Sequence, residues 1–156
     1  MNAYVLIGSP NTRKSSICRA LTGCFNGNIR EIRTQNGKTL RLYVRVTALQ
    51  ETKTSPAAYI EEANEKAVRH VLFSLWPHQR LDDPTQFPDA QGYLEYFVKH
   101  GWNVSSIAIL GQNSAHLEPE AIGIDKLVNH PRAFPNTFMD PPNLSAAGIR
   151  KHFGWM

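Results

Sequence analysis

Within its first twenty-five residues the chain changes hydrophobic period across a short polar loop, and this constrains the fold more than any other feature. Tyr4-Val5-Leu6-Ile7 is an unbroken β-prone apolar run that stops at Gly8. Such a run, apolar on both faces, is the pattern of a buried parallel strand. Residues 8–14 are polar. From Ser15 onward Ile17, Ala20, Leu21, Cys24 and Phe25 recur at the i, i+3, i+4, i+7, i+8 spacing of one buried helix face. Gly23 and Gly27 predict where that helix stops. A strand feeding directly into an amphipathic helix is the first half of a strand–helix–strand unit, which needs a sheet covered by helices.

The rest of the sequence continues the alternation. Residues 29–34 and 39–46 flank Gln35-Asn36-Gly37-Lys38, and Asn-Gly between alternating runs predicts a tight hairpin. Leu40, Leu42, Val44 and Val46 share one face of its second strand; Thr39, Arg41, Tyr43 and Arg45 share the other. Ser55-Pro56 predicts a helix start, with Glu61 and Glu62 early in the helix and Ile60, Ala63 and Ala67 as its inner stripe. Val71-Leu72-Phe73-Ser74-Leu75-Trp76 reads as a buried strand stopped by Pro77, or as an extension of that helix. Ala90, Tyr93, Leu94, Phe97 and Val98 predict a further helix with Gly101 as its cap, and Ile107-Ala108-Ile109-Leu110 a third buried strand ending at Gly111. Residues 112–156 carry five prolines and little period until Ser145, which predicts a short helix to Phe153. The expected fold is α/β: a mostly parallel sheet flanked by helices, one antiparallel hairpin strand at an edge, a core over residues 1–111, and an irregular extension over 112–156. Phe134, Phe138, Phe153 and Trp155 would pack that extension on the core or present it to a protein partner.

Composition narrows the function classes. Of 156 residues 42% are hydrophobic, enough for a real core and too many for wholesale disorder. No apolar run approaches the roughly 18–20 residues of a membrane span. The N-terminal run lacks a charged leader and a cleavage site, so the expected location is cytoplasmic. Cys18 and Cys24, six positions apart in one predicted helix, fall on nearly opposite faces and predict reduced, unbridged thiols. The six histidines show no metal-ligand spacing, and no Gly-x-Ser-x-Gly hydrolase elbow occurs. Residues 1–53 hold nine lysines and arginines against Glu31 and Glu51, whereas residues 54–156 hold eight against eleven carboxylates. The basic third is the natural place for an anion.

That third contains Gly8-Ser9-Pro10-Asn11-Thr12-Arg13-Lys14-Ser15-Ser16 between the first strand and the first helix. A loop wrapping into a helix N-terminus turns successive backbone N–H groups inward, where the helix dipole adds positive potential. Arg13-Lys14 at that end opposes the dipole unless an anion is bound. The segment resembles the Walker A motif of the P-loop NTPases, Gly-x-x-x-x-Gly-Lys-Ser/Thr, with Gly8, Lys14 and Ser15 in register and Arg13 at the place of the second glycine. The resemblance implies a P-loop architecture over residues 3–111 and ATP or GTP bound with Mg²⁺. Gly8, Ser9, Asn11, Thr12, Arg13, Lys14, Ser15 and Ser16 would form the nucleotide site, and the Ser15 hydroxyl would ligate the metal.

A Walker B carboxylate is not in register after either central strand; Glu51, Asp82 and Asp83 are the candidates. The guanine-reading Asn-Lys-x-Asp pattern is absent, leaving Gly111-Gln112-Asn113-Ser114 to touch a base. The implied function is nucleotide binding with slow or no hydrolysis. The alternative is a non-catalytic interaction or nucleic-acid-binding protein on a decayed P-loop scaffold, acting through a basic hairpin face of Arg41, Tyr43 and Arg45 with Arg30 across the hairpin. The same charges also suit a solvated edge strand guarded against aggregation.

Overall fold

The computed structural model describes residues 1–10, 12–23, 27–111, 131–135 and 141–156. Its elements run β1 (Asn2–Gly8), α1 (Lys14–Thr22), β2 (Asn28–Arg33), β3 (Thr39–Arg45), α2 (Pro56–Glu65), β4 (His70–Leu75), α3 (Ala90–Lys99), β5 (Asn103–Gly111), β6 (Arg132–Pro135) and α4 (Pro142–His152). The six strands form one sheet in the order β2-β3-β4-β1-β5-β6. Only β2 runs antiparallel to its neighbour. The chain leaves central β1 through α1 for the far edge, returns through β3 and β4 to β1's side, then crosses to β5 and β6. β1 is therefore flanked by strands reached in opposite directions.

Alternation along each buried strand sends side chains to two cores. Ala3, Val5 and Ile7 of β1, with Val71, Phe73 and Leu75 of β4, pack under Tyr59 and Ala63 of α2 and Tyr93, Leu94 and Phe97 of α3. Leu6, Leu72, Leu42 and Val44 pack under Ile17, Cys18 and Leu21 of α1 and Ala146 and Ile149 of α4. The first core is strongly aromatic: the Phe97 and Trp102 rings stack 4.6 Å apart, and Phe73 meets Phe97 edge-on at 5.3 Å.

The run at 71–76 is strand rather than helix, because Leu75 pairs with Ile7 across a parallel ladder. The first helix stops at Gly23, one of the two glycines expected to end it: Thr22 is its last residue and Gly23, at φ 70, its C-cap. Cys18 is buried and forms no disulfide among the described residues, and Cys24 and Phe25 lie outside them. In α2 the inner stripe carries Tyr59 where Ala67 was expected; Ala67 lies beyond the helix end at φ 52.

Two expectations are corrected. The described part of 112–156 is not irregular: β6 extends the sheet beside β5, and α4, with Phe153 and Trp155, completes the second core. The α4 helix starts at Pro142 rather than at Ser145. Its chain then reaches the opposite sheet edge, where Met156 N–H donates to the Arg33 carbonyl (2.8 Å) and Gln35 N–H to that of Gly154 (2.8 Å). Few local signals mark these elements because their partners are distant in sequence. Phe138 lies outside the described residues.

The hairpin forms at the expected edge, but its single basic face does not. Arg30 pairs with Leu42 and so projects to the α1 and α4 side, away from Arg41. Tyr43 and Arg45 are buried beneath α2. The Tyr43 hydroxyl donates to Glu62 Oε2 (2.9 Å), and Arg45 Nη1 donates to both Glu62 oxygens (2.7 and 2.6 Å). No helix among the described residues is long and apolar enough to cross a membrane.

Candidate phosphate-binding site

The C-terminal end of β1 is the switch point of the sheet, the place where ligands of open α/β sheets bind. Gly8 closes β1 opposite Leu110. A β-carbon built there would lie 2.5 Å from Thr12 Oγ1 and 3.3 Å from the Leu110 carbonyl oxygen, so the loop can fold back over the strand only if residue 8 has no side chain. Thr12 is pinned in turn, its Oγ1 donating to the Ser9 carbonyl at 2.8 Å.

Arg13 is the N-cap of α1 with φ 63 and ψ 28. This left-handed conformation is costly for residues with a β-carbon and free for glycine. The arginine at the second-glycine place therefore keeps the backbone conformation that favours glycine. Its carbonyl accepts the first helical bond, from Ile17 N–H at 2.9 Å. The N–H groups of Lys14, Ser15 and Ser16 precede that bond and have no acceptor inside the helix. Arg13→Gly is expected to stabilise the protein by about 0.5–1 kcal/mol, because relief of the left-handed strain exceeds the added chain entropy. Urea unfolding of the two proteins measures it, and a destabilised glycine variant would mean that the guanidinium's contacts outweigh the backbone strain.

Lys14 begins α1 with its side chain turned back into the loop. It is 7% exposed, and its Nζ donates to the Ser9 carbonyl at 2.8 Å. Burial lowers its ammonium from the ordinary 10.5 to about 8, and the Glu51 carboxylate opposes the shift. A half-desolvated ammonium parked on a loop carbonyl is a cation that a phosphate oxygen can claim with gain.

A pocket of about 230 Å³ opens over this turn, lined by Pro10, Arg13, Lys14, Ser15, Ala48 and Glu51. The volume is below the roughly 300–1,000 Å³ of pockets that enclose a whole small molecule. It suits a phosphate chain whose remaining groups lie outside. Arg13, Lys14 and Ser15 thus line one pocket, while Gly8, Ser9 and Thr12 shape the loop. Ser16 stands in the first helical turn, half-buried. Asn11 and residues 112–114 lie outside the described residues.

The structure also separates the acid candidates. Glu51 lines the pocket beside Lys14 and Ser15. Asp82 instead pairs with Arg80 Nε at 2.6 Å, and Asp83 accepts the Gln86 N–H at 3.2 Å. Glu51 owes its place to partners that sequence reading missed. Arg45, held by Glu62, donates through Nη2 to Thr52 Oγ1 (2.7 Å) and Thr54 Oγ1 (3.2 Å). Gln50, fully buried, donates through Nε2 to the Trp76 and Pro88 carbonyls (3.0 and 3.2 Å) and accepts the Trp76 N–H at 3.0 Å. The loop after β3 is therefore fastened on both sides of Glu51. Alternation placed Arg45 on a strand face, but only the packing of α2 supplies its carboxylate.

Among the described residues no group of three or more histidines, cysteines and acids is placed to hold a metal through protein ligands alone. Ser15 and Glu51 do put two hard oxygen donors on one pocket. The fold and site together define an α/β protein with a six-stranded, mostly parallel sheet and a small basic pocket at its switch point. No protein-family model, curated protein or solved structure matches the chain.

Proposed function

We propose that the chain binds a nucleoside triphosphate, ATP or GTP, with its phosphates in the turn over residues 8–16. The observation that carries this reading is the left-handed Arg13 followed at once by buried Lys14, a backbone and a charge arranged for an anion at a helix N-terminus. Lys14 neutralises the outer phosphates, and the amides around Arg13 and Ser15 cradle the chain. Mg²⁺ fits the Ser15 hydroxyl with phosphate oxygens and water, and Glu51, which lines the same pocket, would add an oxygen through water; the ion would spread charge over the phosphates. Intrinsic hydrolysis is slow or absent, because the only pocket-lining acid among the described residues is Glu51, which is solvent-exposed rather than held in a dry cage.

Thermal unfolding with MgATP and MgGTP tests the reading. At a nucleotide concentration 100-fold above Kd the protein gains about 2.7 kcal/mol, a rise in Tm of roughly 5–10 °C for a chain of this size. The gain disappears in Lys14→Met. Equal melting of both proteins with and without either nucleotide would remove the proposal.

A further inference from the structure

The outer edge of β2 is open over most of its length. β2 is a terminal strand of the sheet, six residues long, and pairs with β3 without a bulge. It holds no proline. Natural edge strands are commonly shortened, bulged or covered, because their unpaired backbone groups accept another strand. Here one end is covered. Met156 N–H donates to the Arg33 carbonyl and Gln35 N–H to the Gly154 carbonyl, both at 2.8 Å, so residues 154–156 run antiparallel along the edge with Trp155 opposite Thr34. Backbone groups alternate in direction along a strand, so those of Ile29 and Glu31 point outward as the Arg33 carbonyl does. No strand lies against them among the described residues.

Beside this edge lies a concavity of about 360 Å³, lined by Arg30, Arg33 and Arg150 with Gly23, Glu31 and Ile32. Two guanidiniums meet there at the last turn of α1. Arg150 Nη2 donates to the Ala20 and Leu21 carbonyls at 3.0 and 3.2 Å, which caps the helix. Arg30 Nη2 lies 3.6 Å from the point where a β-carbon on Gly23 would stand. Arg30 and Arg33 are exposed, and neither has a hydrogen-bond or ion-pair partner among the described residues. The layer around them has the same sign. Helices α1 and α4 hold Lys14, Arg19, Arg150 and Lys151 and no acid, whereas α2, on the other face of the sheet, holds Glu61, Glu62 and Glu65 and no base. This basic surface shares no lining residue with the phosphate pocket.

We infer that the β2 edge is a docking site for an extended acidic segment of a partner protein, added antiparallel beside residues 29–32 in line with residues 154–156. Main-chain bonds to Ile29 and Glu31 supply affinity, and alternate side chains supply specificity. Arg30 faces the α1 and α4 side, so the peptide residue opposite it faces that side too, where a carboxylate meets the Arg30 guanidinium beside that of Arg150. The residues opposite Ile32, half-buried, and Ile29, 37% exposed, are apolar. From N- to C-terminus the segment therefore reads apolar-x-acidic-apolar. A nucleic acid would use the arginines but leave the outward backbone groups of β2 unpaired. A second copy of the chain is a poor occupant, because the two antiparallel registers centred on the middle of the strand set Arg30 against Arg30 or Glu31 against Glu31.

The probes are the blocked peptide Val-Thr-Glu-Val-Thr, the same peptide with lysine in place of glutamate, and a single-stranded oligonucleotide. Each is titrated into the full chain and followed by backbone amide NMR. The glutamate peptide is expected to shift the amide signals of Ile29 and Glu31 and to protect both from hydrogen exchange. Arg30→Glu should weaken this peptide about tenfold and strengthen the lysine peptide by a similar factor, a reversal that a merely structural arginine would not produce. N-methylation of either peptide residue beside the glutamate removes an N–H that faces β2 and should abolish binding; N-methylation of the glutamate, whose N–H faces away, should be tolerated. Binding that survives N-methylation at every position would be electrostatic only and would overturn the inference. So would the absence of peptide binding. Shifts at residues 29–32 caused by the oligonucleotide alone would assign the edge to nucleic acid, and shifts caused by raising the protein concentration alone would assign it to a second copy; either result also overturns it.

Discussion

Replacing Lys14 by methionine is expected to lower the affinity for MgATP or MgGTP by roughly 100-fold, as measured by titration calorimetry. The lysine is the one buried cation lining the phosphate pocket among the described residues, and a charge-assisted bond to phosphate is worth about 1.5–3 kcal/mol. Methionine keeps the length of the side chain and removes the charge, so the fold survives the test. The same lysine sets a pH signature in the protein without nucleotide. Its pKa is about 8 in the folded chain against 10.5 when exposed, so between those values the unfolded chain holds the extra proton. Stability should therefore rise with pH from about 8 to 10.5, by at most about 3 kcal/mol, and the rise should vanish in Lys14→Met. Nucleotide binding has the opposite dependence. Phosphate needs the ammonium, so affinity should fall above pH 8, approaching tenfold per unit. A pH-independent affinity between 7 and 10 would mean that the lysine does not meet the ligand.

The second large effect concerns the clamp on the loop that bears Glu51. Glu62→Ala leaves the Arg45 guanidinium buried without its carboxylate. Breaking a buried pair costs about 3–5 kcal/mol, and the 31% exposure of the Glu62 side chain reduces this to about 2–3 kcal/mol. Urea unfolding gives the value. Adding Arg45→Met should restore most of the stability, because the uncompensated charge is gone. It should not restore nucleotide affinity, because Thr52 and Thr54 lose the donor that fastens the loop. Full recovery of both properties in the double variant would show that the network serves the fold alone.

The strands and helices of the first 111 residues were legible because each is written in local period: four apolar residues in β1, an Asn-Gly turn before β3, Ser55 and Pro56 at the start of α2. The turn over residues 8–16 was legible for a related reason. Gly8, Lys14 and Ser15 act within one turn of chain, so their spacing alone implies their convergence. The sequence did not show that Arg13 accepts the left-handed conformation of the glycine it replaces, since that depends on what the surrounding loop enforces.

What depended on distant partners could not be read. Hydrophobic period shows that a strand is buried but not which strand lies beside it, so β4's place between β1 and β3 came only with the fold. That placement, with the loop held by Gln50 and Arg45, selects Glu51 and leaves Asp82 and Asp83 elsewhere. β6 and α4 were illegible because short segments rich in proline become regular only when a neighbouring strand and an apolar helix face accept them. The sequence by itself determined the local elements and the turn that joins β1 to α1. Tertiary structure decided strand order, the burial of Tyr43 and Arg45, and the acid that faces Lys14, because each of these is fixed by contacts between residues far apart in the chain.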